Sequence, residues 1–185
     1  MILMKPSFEI MCGLNRDALK LIERAGRVCY KSEDKISDSS CAYFVKNIVT
    51  SGHESVIEHA HVTVKFVIDR GVSHELVRHR LASYSQESTR YCNYKGGVTF
   101  VIPPWVNLEY GEYNQRDGLG NWAVGCLEAE YHYLKLLEYG WTPQQARSVL
   151  PNSLKTEVVM TANLREWRHV FKLRCSKAAH PQMRE

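Results

Sequence analysis

The chain has 185 residues, 44% of them apolar, and a formal net charge of +4. That length suits one domain able to bury a real core. No apolar run approaches the roughly 20 residues of a membrane span, and so small a charge excludes an extended nucleic-acid track, which needs many phosphate contacts. Residues 161–185 hold six Lys and Arg against two Glu, which accounts for the whole net charge. A local excess of that kind suits small anionic ligands. The six cysteines form no Cys-x-x-Cys pair. Met1–Met4 is too short for a targeting segment and is interrupted by Lys5-Pro6. A reduced, cytoplasmic chain is expected.

In chain order, Phe8–Cys12 reads as a short strand. Asn15 is placed to cap a helix with Ala18, Leu19, Ile22, Ala25 and Cys29 on its apolar stripe. Lys31–Ser39 is a polar loop. Cys41, Phe44, Val45, Ile48 and Val49 mark a second amphipathic helix that stops near Gly52. Ser55 and Glu58 have capping-box spacing and predict a helical turn. Alternation from Val62 to Ile68 predicts a half-buried strand. Gly71-Val72-Ser73 opens a helix expected to run to about Arg80, followed by a loop over Ser83–Arg90.

Val98–Ile102 is a further strand, closed by Pro103-Pro104. Leu119–Glu138 is the longest helix, with Gly140 as its stop. Thr142-Pro143 starts another, ended by Pro151. Lys155–Ala162 is a strand, and Asn163 with Glu166 caps a final helix carrying Trp167, Val170, Phe171 and Arg174. Helices and strands alternate without repeats or linkers. The expected fold is α+β, a single domain of residues 1–185 with a mixed sheet packed against helices.

The densest chemistry is Arg78-His79-Arg80-Leu81-Ala82-Ser83-Tyr84-Ser85-Gln86-Glu87-Ser88-Thr89-Arg90-Tyr91. Arginine forks and short hydroxyls grip phosphates through paired, charge-assisted hydrogen bonds. Neighbouring residues on a helix do not share a face, so Arg78, His79 and Arg80 point apart. That suits a helix end wedged between two ligands, or between a ligand and a neighbouring subunit. The bland reading is a basic surface loop; for Ser83 a local loop hydrogen bond is the preferred reading. Ser88 would need an adjacent base to act as a nucleophile, and the sequence shows none; a phosphate ligand is the favoured role.

This stretch resembles the signature of the flavin-dependent thymidylate synthases: Arg-His-Arg, then Ser, Ser and Arg at the positions of Ser83, Ser88 and Arg90, with Ser85 where many members carry Asn. Two more segments follow in the family's order. Gly52-His53-Glu54-Ser55 with Glu58-His59 resembles the approach to its flavin site; buried histidines satisfied by backbone are the competing reading for His59 and His61. Ala146-Arg147-Ser148-Val149-Leu150-Pro151, followed by Asn163-Leu164-Arg165 through Arg174, resembles the rest of its ligand-binding set. For Arg174 the bland reading is a cation favoured by a helix C-terminus. Gly118-Leu119-Gly120-Asn121-Trp122-Ala123 matches a dinucleotide fingerprint, but the preceding Glu112–Asp117 is polar and does not read as a strand. No zinc-protease spacing is present, and no metal is expected.

The resemblance implies an enzyme making dTMP from dUMP, a methyltransferase. Methylenetetrahydrofolate would supply the carbon, and FAD, reduced by NADPH, the hydride. It places His53, Ser55, Arg78, His79, Arg80, Gln86, Asn163, Leu164, Arg165 and His169 toward FAD. It places Glu75, Leu76, Val77, Arg78, Gln86, Glu87, Ser88, Thr89, Arg90, Arg147 and Arg174 toward dUMP, with Arg174 as the catalytic cation beside the pyrimidine. It implies a homotetramer with shared sites. The family usually carries a further C-terminal helix, so either the terminus is shortened at Glu185 or that helix is spare. Two alternatives stay open: a paralogue methylating another pyrimidine nucleotide such as UMP, and an RNA-binding module stacking bases on Tyr84, Tyr91 and Tyr94.

Overall fold

A computed structural model describes residues 1–107 and 118–184. The polar stretch 112–117 therefore lies outside the described residues. Its central sheet is antiparallel. It is built from β2 (Ser7–Cys12), β3 (His61–Asp69), β4 (Ala82–Gln86) and β6 (Lys155–Asn163) in the order β2-β3-β6-β4. A separate parallel pair joins β1 (Ile2–Met4) to β5 (Thr99–Val101). The mixed character expected of the sheet thus resides in two sheets. β1 carried too few residues to show a pattern.

One face of the central sheet is apolar. Val64 and Ile68 of β3 and Val158, Met160 and Ala162 of β6 pack against α3 (Arg70–Leu76) and α6 (Leu164–Arg174) through Val72, Leu76, Trp167 and Val170. A second core lies under the long helix α4 (Gly118–Glu138) and a third joins α1 (Arg16–Val28) to α2 (Ser40–Thr50). The remaining helices, α5 (Pro143–Ala146) and α7 (Pro181–Arg184), are single turns. Among the described residues no helix is long and apolar enough to cross a membrane.

Local rules place most boundaries. Asn15 Oδ1 accepts from Ala18 N–H at 2.9 Å and starts α1. Asn163 Oδ1 accepts from Glu166 N–H at 2.8 Å and starts α6. Gly140 ends α4 at a φ of 86°, a left-handed conformation that glycine adopts without strain.

Four expectations change. The α1 stripe buries Glu23 and Gly26, and Cys29 is exposed, because Glu23 is held by Arg27 and by Ser40 of the neighbouring helix. The turn predicted at Ser55 is a 3-10 turn over Glu54–His59 preceded by His53, so Ser55 is inside it and caps nothing. Helix α3 starts earlier and stops at Leu76. Asp69 caps its first turn, Oδ1 accepting from Val72 N–H at 2.7 Å. The expected loop after it begins as strand β4: Ala82, Tyr84 and Gln86 are partly buried and Ser83 and Ser85 exposed, an alternation that fits an edge strand beside β6. Tyr84 explains the early stop. Its hydroxyl donates to the carbonyls of Leu76 at 2.9 Å and His79 at 2.8 Å, groups a continuing helix would have used itself.

Candidate active site

The functional residues gather at the two ends of β4. At the first end, α6 lays Arg174 against the end of α3 and the residues that follow it. Its guanidinium donates from Nη1 to Glu75 Oε2 at 2.6 Å, from Nη2 to the Glu75 carbonyl at 2.8 Å, and from Nε to His79 Nε2 at 3.0 Å. A guanidinium has five N–H donors, so two remain. The dipole of α6 favours a cation there, but Glu75 and His79 fix its direction.

His79 is buried. Because Nε2 accepts from Arg174, the ring proton sits on Nδ1, which donates to Glu166 Oε1 at 3.2 Å. Burial holds the His79 pKa below its ordinary value, and the Arg174 charge adds to this, while Glu166 opposes it. His169 meets His79 edge to face, ring centroids 5.8 Å apart. Beside them, burial and the Glu166 charge push the Tyr84 hydroxyl up to about 12, so it stays a donor at neutral pH.

His79, Glu166 and His169 offer ligand atoms within 4.8 Å of one another. Both His79 nitrogens are already engaged and a guanidinium donates into the ring, so a metal ion would have to displace Arg174.

Next to this cluster opens a cavity of about 990 Å³. It is lined by Asn163, Arg165, Glu166, Arg168, His169, Phe171 and Lys172 of α6 and its cap, by Glu54 and Glu58 of the 3-10 turn, and by Leu81. Arg165 pairs with Glu58 at 2.6 Å and Arg168 with Glu54 at 3.0 Å, across an open, solvated mouth. Such surface pairs contribute little and exchange readily for a ligand's charge. A smaller recess of about 280 Å³ is lined by Arg78, His79, Arg80 and Arg174, together with Leu81, Glu166, His169 and Leu173.

At the other end of β4, Thr89 is buried and accepts from Arg147 Nη1 at 2.9 Å, which brings the turn after α5 to the strand end. The Ser88 hydroxyl accepts from Arg90 N–H at 3.3 Å, and the Arg90 guanidinium lies over Tyr91, 5.4 Å from the ring centre. Ser88, Arg90 and Arg147 therefore stand near one another as a cationic group, and among the described residues no base bonds the serine hydroxyl. Glu87 is engaged elsewhere, bonded to Lys155 at 3.0 Å and to the Tyr94 hydroxyl at 2.7 Å.

A profile of the family described as thymidylate synthase complementing protein matches residues 12–185. The chain belongs to that family. A flavin-dependent thymidylate synthase of Geobacter sulfurreducens is 38% identical over 168 residues, covering 86% of this chain and 70% of the relative. One from Mycobacterium sp. strain KMS is 36% identical over 184 residues, covering 89% and 70%. Among solved structures, a UMP/dUMP methylase of Streptomyces cacaoi bound to 5-Br dUMP superposes with a TM-score of 0.78 at 26% identity, over 98% of this chain and 86% of that one. The chain is thus a methyltransferase of the flavin-dependent thymidylate synthase family.

The residues singled out by sequence distribute unevenly over this site. Asn163, Arg165 and His169 line the large cavity and Arg78, His79 and Arg80 the adjoining recess. His53 and Ser55 are exposed on the adjacent 3-10 turn. Leu164 packs into the α1–α2 core. Leu76 is buried under the sheet with its carbonyl already engaged by Tyr84, and Val77 is half-buried. Gln86 donates to Ser73 at 2.9 Å and Thr156 at 3.2 Å, which leaves its carbonyl oxygen as the group to offer. His59 and His61 are exposed, against the reading of buried histidines. Sequence reasoning saw Glu166 as a helix cap and missed its bond to His79. No local signal marked that pairing, which joins residues 87 positions apart.

Proposed function

We propose that the protein is an FAD-dependent thymidylate synthase that converts dUMP to dTMP, taking the carbon from methylenetetrahydrofolate and reducing equivalents from NADPH. The observation that carries this reading is Arg174: a guanidinium fixed by Glu75 and His79, with two donors remaining, next to an arginine-lined cavity. A cation held in place beside a pyrimidine stabilises negative charge developing on the ring, without a cysteine adduct. The donor set fits FAD. Arg165, Arg168 and Lys172 suit a diphosphate, Asn163 and His169 supply polar contacts, and Leu81 and Phe171 offer apolar surface to rings. Arg78 and Arg80 extend this set through the recess. When bound, the flavin supplies the hydride that completes the methyl group.

Ser88, Arg90 and Arg147 would hold the dUMP phosphate. The five residues of β4 put about 14 Å of strand between the backbone of that cluster and the segment that Arg174 packs against, so serving both ends of one nucleotide calls for long side chains or for two copies. A homotetramer in which one copy supplies the phosphate end and another supplies Arg174 meets this requirement. The chain, one domain over residues 1–185, works in this reading in the cytoplasm, consistent with six unpaired cysteines. The Streptomyces cacaoi structure supports a second reading, methylation of UMP.

The test incubates purified protein and FAD with methylenetetrahydrofolate, NADPH and either dUMP or UMP. The expected product is dTMP, with NADPH oxidation faster when dUMP is present. Preferred methylation of UMP supports the second reading. A colourless protein that fails to bind added FAD, with a steep salt dependence of RNA binding, overturns both.

A further inference from the structure

We propose that Glu166 is a positioning residue for Arg174, acting through His79. The inference rests on the reading of Arg174 as the cation beside the pyrimidine, and it identifies what aims that cation. Glu166 enters the site from the first turn of α6, where its backbone N–H is held by Asn163. A capping-box glutamate normally turns back to the N-cap N–H. Here the carboxylate turns inward to His79 Nδ1, at 3.2 Å, with both side chains almost fully buried.

The consequence is a matter of proton placement. A neutral imidazole donates from one nitrogen and accepts at the other. A carboxylate can only accept, so Glu166 requires the proton on Nδ1. That leaves Nε2 as the acceptor that Arg174 Nε needs, at 3.0 Å. With the other tautomer, or with the imidazolium, two N–H groups would confront each other and Arg174 would lose one of its three anchors. The chain Glu166, His79, Arg174, Glu75 places a carboxylate at each end, two negative charges against the one positive charge of the guanidinium.

Every element packed on His79 adds to this environment. From α6 come Glu166, His169 and Arg174, from the end of α3 comes Glu75 by way of Arg174, and from β4 comes the Tyr84 hydroxyl, which holds the His79 carbonyl. Tyr84 fixes the backbone and leaves both ring nitrogens to α6. The ring therefore takes its orientation from Glu166 and transmits it to Arg174.

The experiment reads the tautomer and Arg174 directly, on the full chain labelled with 15N-histidine and 15N-arginine, with His79→Gln used to assign the ring signals. In the wild type, His79 is expected as the Nδ1–H tautomer, with the Arg174 Nε–H protected from exchange. In Glu166→Leu the tautomer should become mixed and that protection should be lost. Single-turnover methyl transfer with pre-reduced FAD should fall ~10–100-fold with KM for dUMP changed less than about 2-fold, the cost of a misaimed group. Glu166→Gln keeps an acceptor and removes the charge. It should retain the tautomer and most of the turnover, while His79 titrates at lower pH. This second variant keeps the test decisive if Glu166→Leu fails to fold.

A wild-type His79 in the Nε2–H form, or unchanged Arg174 exchange in a folded Glu166→Leu, overturns the inference. So does a Glu166→Gln in which the His79 titration stays put or moves up. Should the wild type methylate no pyrimidine nucleotide, the proposed function falls, while the tautomer and exchange results still decide whether Glu166 orients Arg174.

Discussion

In the proposed function, the two ends of β4 meet the same demand, recognition of an anionic nucleotide, in opposite ways. At the first, Arg174 is partly buried and has three partners before any ligand arrives. At the second, Arg90 is exposed and lies over Tyr91, beside a serine whose hydroxyl, among the described residues, accepts from a backbone N–H. A group that must stabilise charge at one atom in a transition state gains from being fixed beforehand, since it need not reorganise as charge develops. A group that only holds a phosphate tolerates freedom, because phosphate oxygens accept from many directions. The difference in packing thus follows the difference in chemical role, with geometry decisive at one end and charge at the other.

The largest effect should come from breaking the fixed end. Arg174→Ala is expected to lower the rate of methyl transfer in single turnover, with pre-reduced FAD, by ~100-fold or more, the scale seen on removing an oxyanion donor. Arg174→Lys should recover little, since one ammonium cannot bond Glu75 and His79 together as the planar fork does. A variant that keeps near-normal turnover would mean that the fixed arginine is only structural.

Next in size is the open end. Arg90→Ala should weaken dUMP binding by ~2 kcal/mol through loss of a charge-assisted phosphate contact, while FAD binding is kept. Equilibrium titrations of both ligands separate the cases; equal loss of the two would assign Arg90 to the fold. Ser88→Ala should be milder, raising KM for dUMP several-fold, or ~1 kcal/mol, with appreciable turnover. A dead Ser88→Ala with normal dUMP affinity, beside an active Arg174→Ala, would exchange the roles given to the two ends.

The smallest effect sharpens the contrast by pH. The His79 pKa is lowered in the folded protein, chiefly by burial. The fold therefore favours neutral His79. This contribution to stability is fully present above the unfolded value of about 6.5 and is lost as pH falls toward the folded value. Melting temperature should decline below about pH 6.5, whereas the single-turnover rate should fall only as pH approaches the lower value of folded His79, and the stability loss should be smaller in His79→Gln. Identical acid profiles in the two proteins would show that the His79 ring does not couple the fixed end to pH.

Much of this molecule is written locally in its sequence. Asn15 and Asn163 announce helix starts because a short side-chain oxygen can reach the third N–H of the helix it precedes. Alternation marks β3 and β6, since a strand buried on one face repeats every two residues. The arginines, serines and histidines of the site are legible as chemistry, and their order along the chain is enough to resemble the family. Tertiary structure decided what those residues face. Ala82–Gln86 is a strand and not a loop because β6 offers it a partner 70 to 80 residues away. Helix α3 ends at Leu76 because Tyr84 takes the carbonyls that would have continued it. Glu166 orients a histidine because burial forces its carboxylate to find a donor, and it finds one on a segment 87 residues distant. Short-range hydrogen bonds depend on neighbours in sequence and can be read from it. Desolvated polar groups must be satisfied by whatever the fold brings within reach, and only the packed chain settles which group that is.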